Sequence, residues 1–180
     1  MNNLSKIGLG VLTTLATIAP GAQAGYVSGG YHFMSGDDFG PRYEAQATQF
    51  LKGLDELGVS VIDGTKNELP QCKDRALGLY SGQYNVMVIC TEGVPNWLKF
   101  ETLVHETVHA IQDARDGIDN DTLEAGNTSY LGRLVDGLDD NRVELIEGSY
   151  DKSHWAIEVE AFYFETRPSS VLNELNRWAF

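Results

Sequence analysis

The sequence predicts a single α+β domain in which a small sheet is followed by most of the helices. Short apolar runs of strand length lie between residues 59 and 90, and the longest helical patterns come after them instead of alternating with them. The chain has 180 residues, 42% of them hydrophobic and 22% charged, which is a globular composition. A chain of this length can bury a core without help from a metal or a disulfide.

Apolar spacing and chain-breaking residues predict the elements. Residues Gly25 to Gly40 are rich in Gly, Ser and Asp and should be irregular, whereas Pro41 fits the first turn of a helix that Gly58 ends. Ser81-Gly82-Gln83 is a hairpin signal between two strands, and Arg167-Pro168 ends a later helix. The predicted strands are 59–62, 77–80 and 85–90, and the predicted helices are 41–57, 96–115, 123–138, 141–147, 152–166 and a last one from Ser169 or Ser170 to Trp178.

The first 24 residues have the pattern of a secretory signal. Lys6 precedes the apolar stretch Ile7–Ile18, and Ala22-Gln23-Ala24 supplies a small-x-small ending. A membrane anchor is the alternative, but it needs ~20 apolar residues. We therefore expect cleavage after Ala24, one domain over residues 25–180, and a secreted or periplasmic product with no membrane attachment after cleavage.

The run Val86–Cys90 is apolar throughout, which indicates a strand buried on both faces. It is a candidate either for plain sheet core or for pairing with an extended peptide by strand addition. Cys72 and Cys90 are the two cysteines of the chain, and in an exported protein they are candidates for a disulfide, with two buried free thiols as the alternative.

The charge of the chain excludes two classes of partner. Asp and Glu number 26 against 13 Lys and Arg, so the formal net charge is −13, and no basic run occurs. Nucleic acids and anionic membrane surfaces both require positive patches. We expect neither as a partner.

The segment His105-Glu106-Thr107-Val108-His109 has the HExxH pattern and lies on the predicted helix 96–115. Side chains four residues apart share one helix face, so the two imidazoles can bind one Zn²⁺ through nitrogens at ~2.0–2.1 Å. Glu106 lies at the edge of that face, where it can act as general base on a zinc-bound water without binding the metal itself. The flanking residues are apolar, and an unpaired His or Glu on a buried helix would be unfavourable.

A catalytic zinc needs a third protein ligand and leaves one position to water. The three-histidine extension of HExxH is excluded, because Gln112 and Arg115 occupy the positions that it requires. Glu158 and Glu160 are the best candidates, since they lie in an otherwise apolar helical run where a charge needs a cation or a metal. The residues alone leave both glutamates open.

Other polar residues are weaker candidates for the site. Asp113, one turn past His109, could orient a ligating imidazole or else pair with a surface cation. A hydrogen bond to the developing oxyanion could come from a residue flanking the second helix, although packing is the stronger interpretation for each. Those residues are Tyr150, His154, Tyr163 and Arg167.

The region from Gln71 to Phe164 resembles the mitochondrial ATP-synthase-assembly metallopeptidases, which are single-domain HExxH zinc proteases of the gluzincin kind. The resemblance rests on the Cys-ended strand Asn85–Cys90, the helix core Leu103–Ala110, and Asp113 and Arg115 after it. It implies a small zincin-like domain. In that family a Glu-x-x-Ala element on a second helix supplies the third zinc ligand, and Glu158-Val159-Glu160-Ala161 matches that element, which implies Glu158 rather than Glu160.

These expectations combine into one functional hypothesis. The chain would be an exported zinc peptidase in which His105, His109 and Glu158 bind Zn²⁺ and Glu106 is the general base that activates the zinc-bound water toward a peptide or protein substrate. Two alternatives stay open: a non-catalytic, zinc-stabilised binding module, and a zinc amidase acting on cell-wall peptide. The sequence does not indicate an oligomeric state.

Overall fold

A computed structural model describes residues 31–73, 76–116, 125 and 131–179. Within this part of the chain, helices are combined with one small sheet, which confirms the predicted α+β class. The helices are α1 (Glu44–Glu56), α2 (Pro70–Lys73), α3 (Asn96–Asp116), α4 (Leu131–Val135), α5 (Asp140–Ser149), α6 (Trp155–Phe164) and α7 (Pro168–Ala179). The strands are β1 (Ser60–Asp63), β2 (Gly78–Ser81) and β3 (Val86–Ile89). The predicted signal segment, and the first part of the helix predicted over 123–138, lie outside the described residues.

The sheet is mixed, with strand order β1-β3-β2. β3 pairs in parallel with β1, where Ser60 faces Val86, and antiparallel with β2, where Gly78 faces Ile89. Every residue of β3 is buried, which confirms the prediction of burial on both faces. Because both edges of β3 are paired, the idea that this strand holds an extended peptide is wrong. Among the described residues, β2 is the edge strand on that side of the sheet.

Several helix boundaries differ from the predicted ones, and proline explains the clearest case. Pro168 was expected to mark the end of a helix, but it is the first residue of α7, where its missing N–H costs nothing and its fixed φ fits the helix. α1 begins at Glu44 because residues 41–43 form a turn, and α6 begins at Trp155 for the same reason at residues 152–154. The short helix α2 was not predicted.

Cys72 and Cys90 form a disulfide whose Cα atoms are 5.4 Å apart, so the exported-protein interpretation of the two cysteines is consistent with the fold. The bond ties α2 to the residue that follows β3. The two cysteines are 18 residues apart in sequence, and closing a loop of that size in the unfolded chain stabilises the folded state by about 3 kcal/mol.

α3, the helix that carries HExxH, lies in the centre of the molecule. It packs against α1, α6, α7 and β2, and its residues Leu103 to Ile111 are all buried. No helix among the described residues combines the length and apolarity needed to cross a membrane. Because residues 103–111 are buried, α3 is a core helix, and the polar side chains that it buries need partners.

Gly78, the first residue of β2, passes unusually close to α3. A Cβ atom at this position would lie 2.5 Å from Cγ2 of Thr102 and 3.1 Å from Oε1 of Glu106. Contacts this short leave no room for a side chain, so glycine allows the strand to lie directly against Glu106.

Candidate metal centre

Two imidazoles and one carboxylate meet between α3 and α6. His105 and His109 lie one turn apart on α3, and both direct Nε2 toward Glu158 of α6. The Nε2 atom of His105 is 3.5 Å from Oε2 of Glu158, and that of His109 is 3.6 Å from Oε1. All three residues are buried, with at most 5% of their surface exposed. The structure therefore contains a buried His₂Glu group that is positioned to bind a metal ion.

The spacing of these atoms suits metal ligands better than hydrogen-bonded partners. Hydrogen bonds from nitrogen to oxygen have lengths of roughly 2.7–3.2 Å, shorter than both contacts of Glu158. Two ligands that each lie ~2.0–2.1 Å from a tetrahedral ion are ~3.4 Å from one another. The separations of 3.5 and 3.6 Å are close to that value.

The polar atoms inside the group also lack other partners. His105 Nε2 and Glu158 Oε2 are buried and make no hydrogen bond. Such orphaned atoms are rare in proteins, and each costs roughly 1–3 kcal/mol. A cation at the centre of the group would satisfy both atoms at once, so the residues fit a bound metal.

The Nδ1 atoms of the two rings have partners that set the tautomer. His105 Nδ1 lies 2.9 Å from Oε2 of Glu165, and His109 Nδ1 lies 2.8 Å from Oε1 of Gln112. Both partners are oxygen acceptors, so each Nδ1 must carry the proton. In the neutral ring the lone pair is then on Nε2, which is the atom that faces Glu158.

Each acceptor is itself held by an arginine. Oε1 of Glu165 lies 2.7 Å from a guanidinium nitrogen of Arg142 on α5. On the other side, the amide nitrogen of Gln112 donates to the Ile157 carbonyl and to Glu160, both at 3.0 Å, and Arg115 lies 2.9 Å from Glu160. Two chains of contacts, Arg142–Glu165–His105 and Arg115–Glu160–Gln112–His109, therefore fix the orientation of the imidazoles.

The three residues of this group shift one another's pKa values. Burial alone would raise the pKa of Glu158, but the charges of His109 and His105 lower it well below its usual range. Burial alone would lower the pKa of His105 and that of His109, but the Glu158 carboxylate raises both, with help from Glu165 at His105.

Glu106 is separate from the ligand group and borders a cleft. Burial raises the pKa of its carboxyl group, while His105 and His109 oppose that rise. Its side chain lies against Gly78 and lines a cavity between β2, α3, α5 and α6. Its position beside the His₂Glu group, with a raised pKa, suits a group that accepts and returns a proton.

Four other candidates proposed from the sequence have partners outside the His₂Glu group. Glu160 does not join the imidazoles, because it is engaged by Arg115 and Gln112. Asp113 does not orient His109; it accepts a hydrogen bond of 2.7 Å from the Tyr80 hydroxyl. The guanidinium of Arg167 stacks on the ring of Tyr163, 3.7 Å from its centroid, so these two residues pair with one another.

Among the candidate donors, Tyr150 is connected to the His₂Glu group through the ring of Phe162. Its ring packs on Phe162, which in turn packs on the ring of His105. Its hydroxyl is buried and has no hydrogen-bond partner. Burial raises the pKa of this hydroxyl far above its usual range, and the neighbouring charges of Glu158 and Glu106 raise it further, so it stays protonated. His154 lies half-buried at the start of α6.

Sequence reasoning missed three residues of the site: Gln112, Arg142 and Glu165. Gln112 was noted only as a departure from the three-histidine motif, although its position three residues after His109 places it on the same helix face. Glu165 follows α6, and Arg142 lies on α5, more than 30 residues from HExxH. No local pattern connects these two with α3.

Replacing Gln112 or Glu165 with alanine should weaken metal binding by about 10–100-fold, because the ring it orients would lose its hydrogen-bond partner. Titration of the metal-free protein with zinc against a chromogenic chelator measures this loss. Thr48→Ala, at an exposed site on α1, is the control and should leave affinity unchanged. Unaltered affinity in both variants would show that the two contacts do not orient the rings.

No protein-family model, curated protein or solved structure matches this chain at a significant level. The resemblance to the ATP-synthase-assembly metallopeptidases therefore stays a prediction. The fold and the site define a class on their own: an α+β domain with a buried group of two histidines and one glutamate positioned for a metal ion, and a further glutamate beside it on a cleft.

Proposed function

We propose that this chain is an exported zinc-dependent peptidase. The observation that carries the proposal is the buried His₂Glu group with imidazole lone pairs directed inward and Glu106 next to it on a cleft. Two imidazoles and one carboxylate are a ligand set typical of catalytic zinc, which keeps its remaining position open. The signal pattern of the first 24 residues and the disulfide support export.

In this proposal His105, His109 and Glu158 hold the ion. When bound, Zn²⁺ supplies Lewis acidity, which lowers the pKa of a coordinated water toward ~7 and polarises the carbonyl group of the substrate. Glu106 accepts a proton from the attacking water and then delivers it to the nitrogen of the leaving amine. Its burial and raised pKa favour this exchange, because a more basic carboxylate holds the proton more readily.

The edge strand β2 gives a substrate chain a place to lie. Its other edge pairs with β3, and its first residue, Gly78, contacts Glu106. An extended peptide that adds to this edge would bring its backbone past Glu106. This assigns to β2 the peptide-binding role that sequence analysis considered for the strand 86–90.

The hydroxyl of Tyr150 supplies the hydrogen bond to the oxygen on which negative charge develops during attack. It is the one candidate donor from the sequence whose polar atom is buried without a partner near Glu158 and Glu106. A preorganised donor of this kind contributes mainly to the transition state.

Tyr150→Phe should therefore lower kcat by about 100-fold with little change in KM or in metal content, since it removes one donor and keeps the ring. Steady-state kinetics with a fluorogenic peptide measures the split between kcat and KM. Tyr163→Phe, whose ring is paired with Arg167, is the matched control. A normal kcat for Tyr150→Phe would remove this residue from the mechanism.

Metal removal tests the proposed function as a whole. The purified chain should bind about one zinc ion and cleave unfolded casein, lose that cleavage after dialysis against a chelator, and regain it when zinc is restored. Zinc should also raise the midpoint of thermal unfolding, because zinc at 100 times its Kd stabilises the folded state by about 2.7 kcal/mol. Zinc binding without turnover of casein or cell-wall peptide would support the binding module, and cleavage of cell-wall peptide alone would support the amidase.

A further inference from the structure

A cavity of about 260 Å³ is lined by residues of α3, α6 and α7. We call it the Phe164 cavity. Neither Glu106 nor any residue of the His₂Glu group lines it. Three of its hydrophobic side chains, Val108, Ile111 and Val171, are at most 3% exposed, and Phe164 is half-buried beside them. An apolar group that fills this space would be removed from water, which favours binding.

Charges of both signs line the Phe164 cavity. Arg115 of α3 brings a guanidinium group, and Glu174 of α7 brings a carboxylate. A third charged residue, Glu160 of α6, lies 2.9 Å from Arg115 and is paired with it. A ligand that is only an anion would be repelled by two carboxylates, and a ligand that is only a cation would be repelled by the guanidinium. A ligand with one charge of each sign and an apolar body complements this lining best.

Arg115 can bind a second carboxylate without releasing Glu160. Its Nη1 atom lies 2.9 Å from both carboxylate oxygens of Glu160. The guanidinium also has N–H groups on Nε and Nη2, which can donate to the oxygens of another carboxylate. Arg142 shows such sharing within this chain, since it pairs with Glu101 and with Glu165 at the same time.

Glu174 can accept an ammonium group. Its carboxylate lies 2.9 Å from Arg177, whose side chain is 77% exposed, and 3.3 Å from Nε1 of Trp178. Exposed ion pairs of this kind contribute little stability, and a contact of 3.3 Å is longer than the usual hydrogen bond of roughly 2.7–3.2 Å. A carboxylate also has about four acceptor positions. Glu174 can therefore bind an ammonium group at little cost to its present contacts.

The size of the Phe164 cavity narrows the class of ligand. An apolar protein cavity of about 150 Å³ binds a benzene molecule. By proportion, a cavity of about 260 Å³ suits a molecule of roughly ten non-hydrogen atoms. The free amino acids leucine, isoleucine and methionine have this size and carry one charge of each sign. Glycine would leave most of the cavity empty, and tryptophan is too large for it.

We propose that the Phe164 cavity is a binding site for a free apolar α-amino acid of the size of leucine. The α-carboxylate of the ligand lies against Arg115, its α-ammonium group lies against Glu174, and its side chain packs on the hydrophobic walls. The site goes beyond the proposed peptidase function, because it uses neither zinc nor Glu106.

Equilibrium dialysis of the purified chain, with one equivalent of zinc, against radiolabelled leucine tests the site. About one leucine per chain should bind, and unlabelled analogues should compete in a fixed order. Isocaproate lacks the ammonium group and isopentylamine lacks the carboxylate, so each should bind at least about 10-fold more weakly than leucine. Alanine keeps both charges but loses most of the apolar body, so it should bind roughly 50-fold more weakly. The proposal fails if leucine does not bind, or if either analogue with a single charge competes as well as leucine.

Two variants locate the bound leucine. Glu174→Gln should weaken leucine binding by at least about 10-fold and leave isocaproate binding unchanged, because only leucine has an ammonium group. Its matched control is Glu56→Gln, which removes the carboxylate of a similar surface ion pair, with Lys52 on α1. Ser170→Phe places a ring in the cavity from an exposed position and should abolish leucine binding. Ser169→Phe, at the exposed neighbouring position that does not line the cavity, should keep it.

The same variants separate this site from the proposed peptidase. Leucine held by a bound zinc ion would be insensitive to both Glu174→Gln and Ser170→Phe, and that result would overturn the site. Glu106→Gln should keep full leucine binding whether or not the wild-type protein hydrolyses peptides. Arg115 stays intact in this experiment because it also holds Glu160.

Discussion

Glu106→Gln is expected to retain zinc and to lower peptide hydrolysis by about 10³-fold. Glutamine keeps the size of the side chain beside Gly78 but cannot take a proton from water, and general-base catalysis contributes roughly 10²–10⁴-fold. The carboxylate of Glu106 is not part of the metal group, so metal analysis should still find about one ion per chain. The measurements are kcat/KM on a fluorogenic peptide and zinc content of the same preparation.

Two comparisons sharpen the Glu106 experiment. Glu144→Gln, at an exposed position of α5, removes a carboxylate outside the cleft and should leave kcat/KM unchanged. His105→Ala removes a ligand and should lose both zinc and hydrolysis. Hydrolysis by Glu106→Gln at the wild-type rate would show that another group activates the water.

Glu158→Gln and Glu160→Gln should have opposite profiles. Glu158 faces both imidazoles, so its loss should weaken zinc binding by more than about 100-fold, beyond the range for residues that only orient a ligand. Glu160 is 1% exposed and paired with Arg115, so its loss should lower the free energy of unfolding by about 3 kcal/mol. Glu160→Gln should weaken zinc binding less than Glu158→Gln does, because Glu160 acts on the site only by holding the amide of Gln112.

Zinc titration and urea unfolding of the metal-free variants measure the two effects separately. Each variant is the matched control for the other, because both substitutions replace one buried carboxylate of α6 by an isosteric amide. A Glu160→Gln protein that fails to bind zinc while Glu158→Gln binds it normally would show that the third ligand has been assigned to the wrong residue.

The local part of the site could be predicted from the sequence. Residues four apart on a helix lie on one face, so HExxH was enough to place His105, His109 and Glu106 relative to one another. The hairpin was predictable for a similar reason, because Ser81-Gly82-Gln83 separates two apolar runs.

The supporting contacts could not be predicted in this way. His105 depends on Glu165, 60 residues later in the chain, and His109 depends on Gln112, whose amide is held by Glu160. The sequence pointed to Asp113 for this role, but packing directs Asp113 to the Tyr80 hydroxyl instead. Such pairings depend on how the helices pack against one another. The spacing of residues in the sequence does not indicate that packing.

The sequence by itself determined the α+β order of elements, the buried central strand and two histidines on one face of α3, because each depends on periodicity within a few residues. Only the tertiary structure decided which carboxylate reaches those histidines. Glu158 and Glu160 lie two residues apart on α6 and project about 200° from one another, so the packing of α6 against α3 directs Glu158 to the imidazoles and Glu160 to Arg115. The cavity that Glu106 lines has the same origin, since its walls come from four elements that meet only in the folded chain.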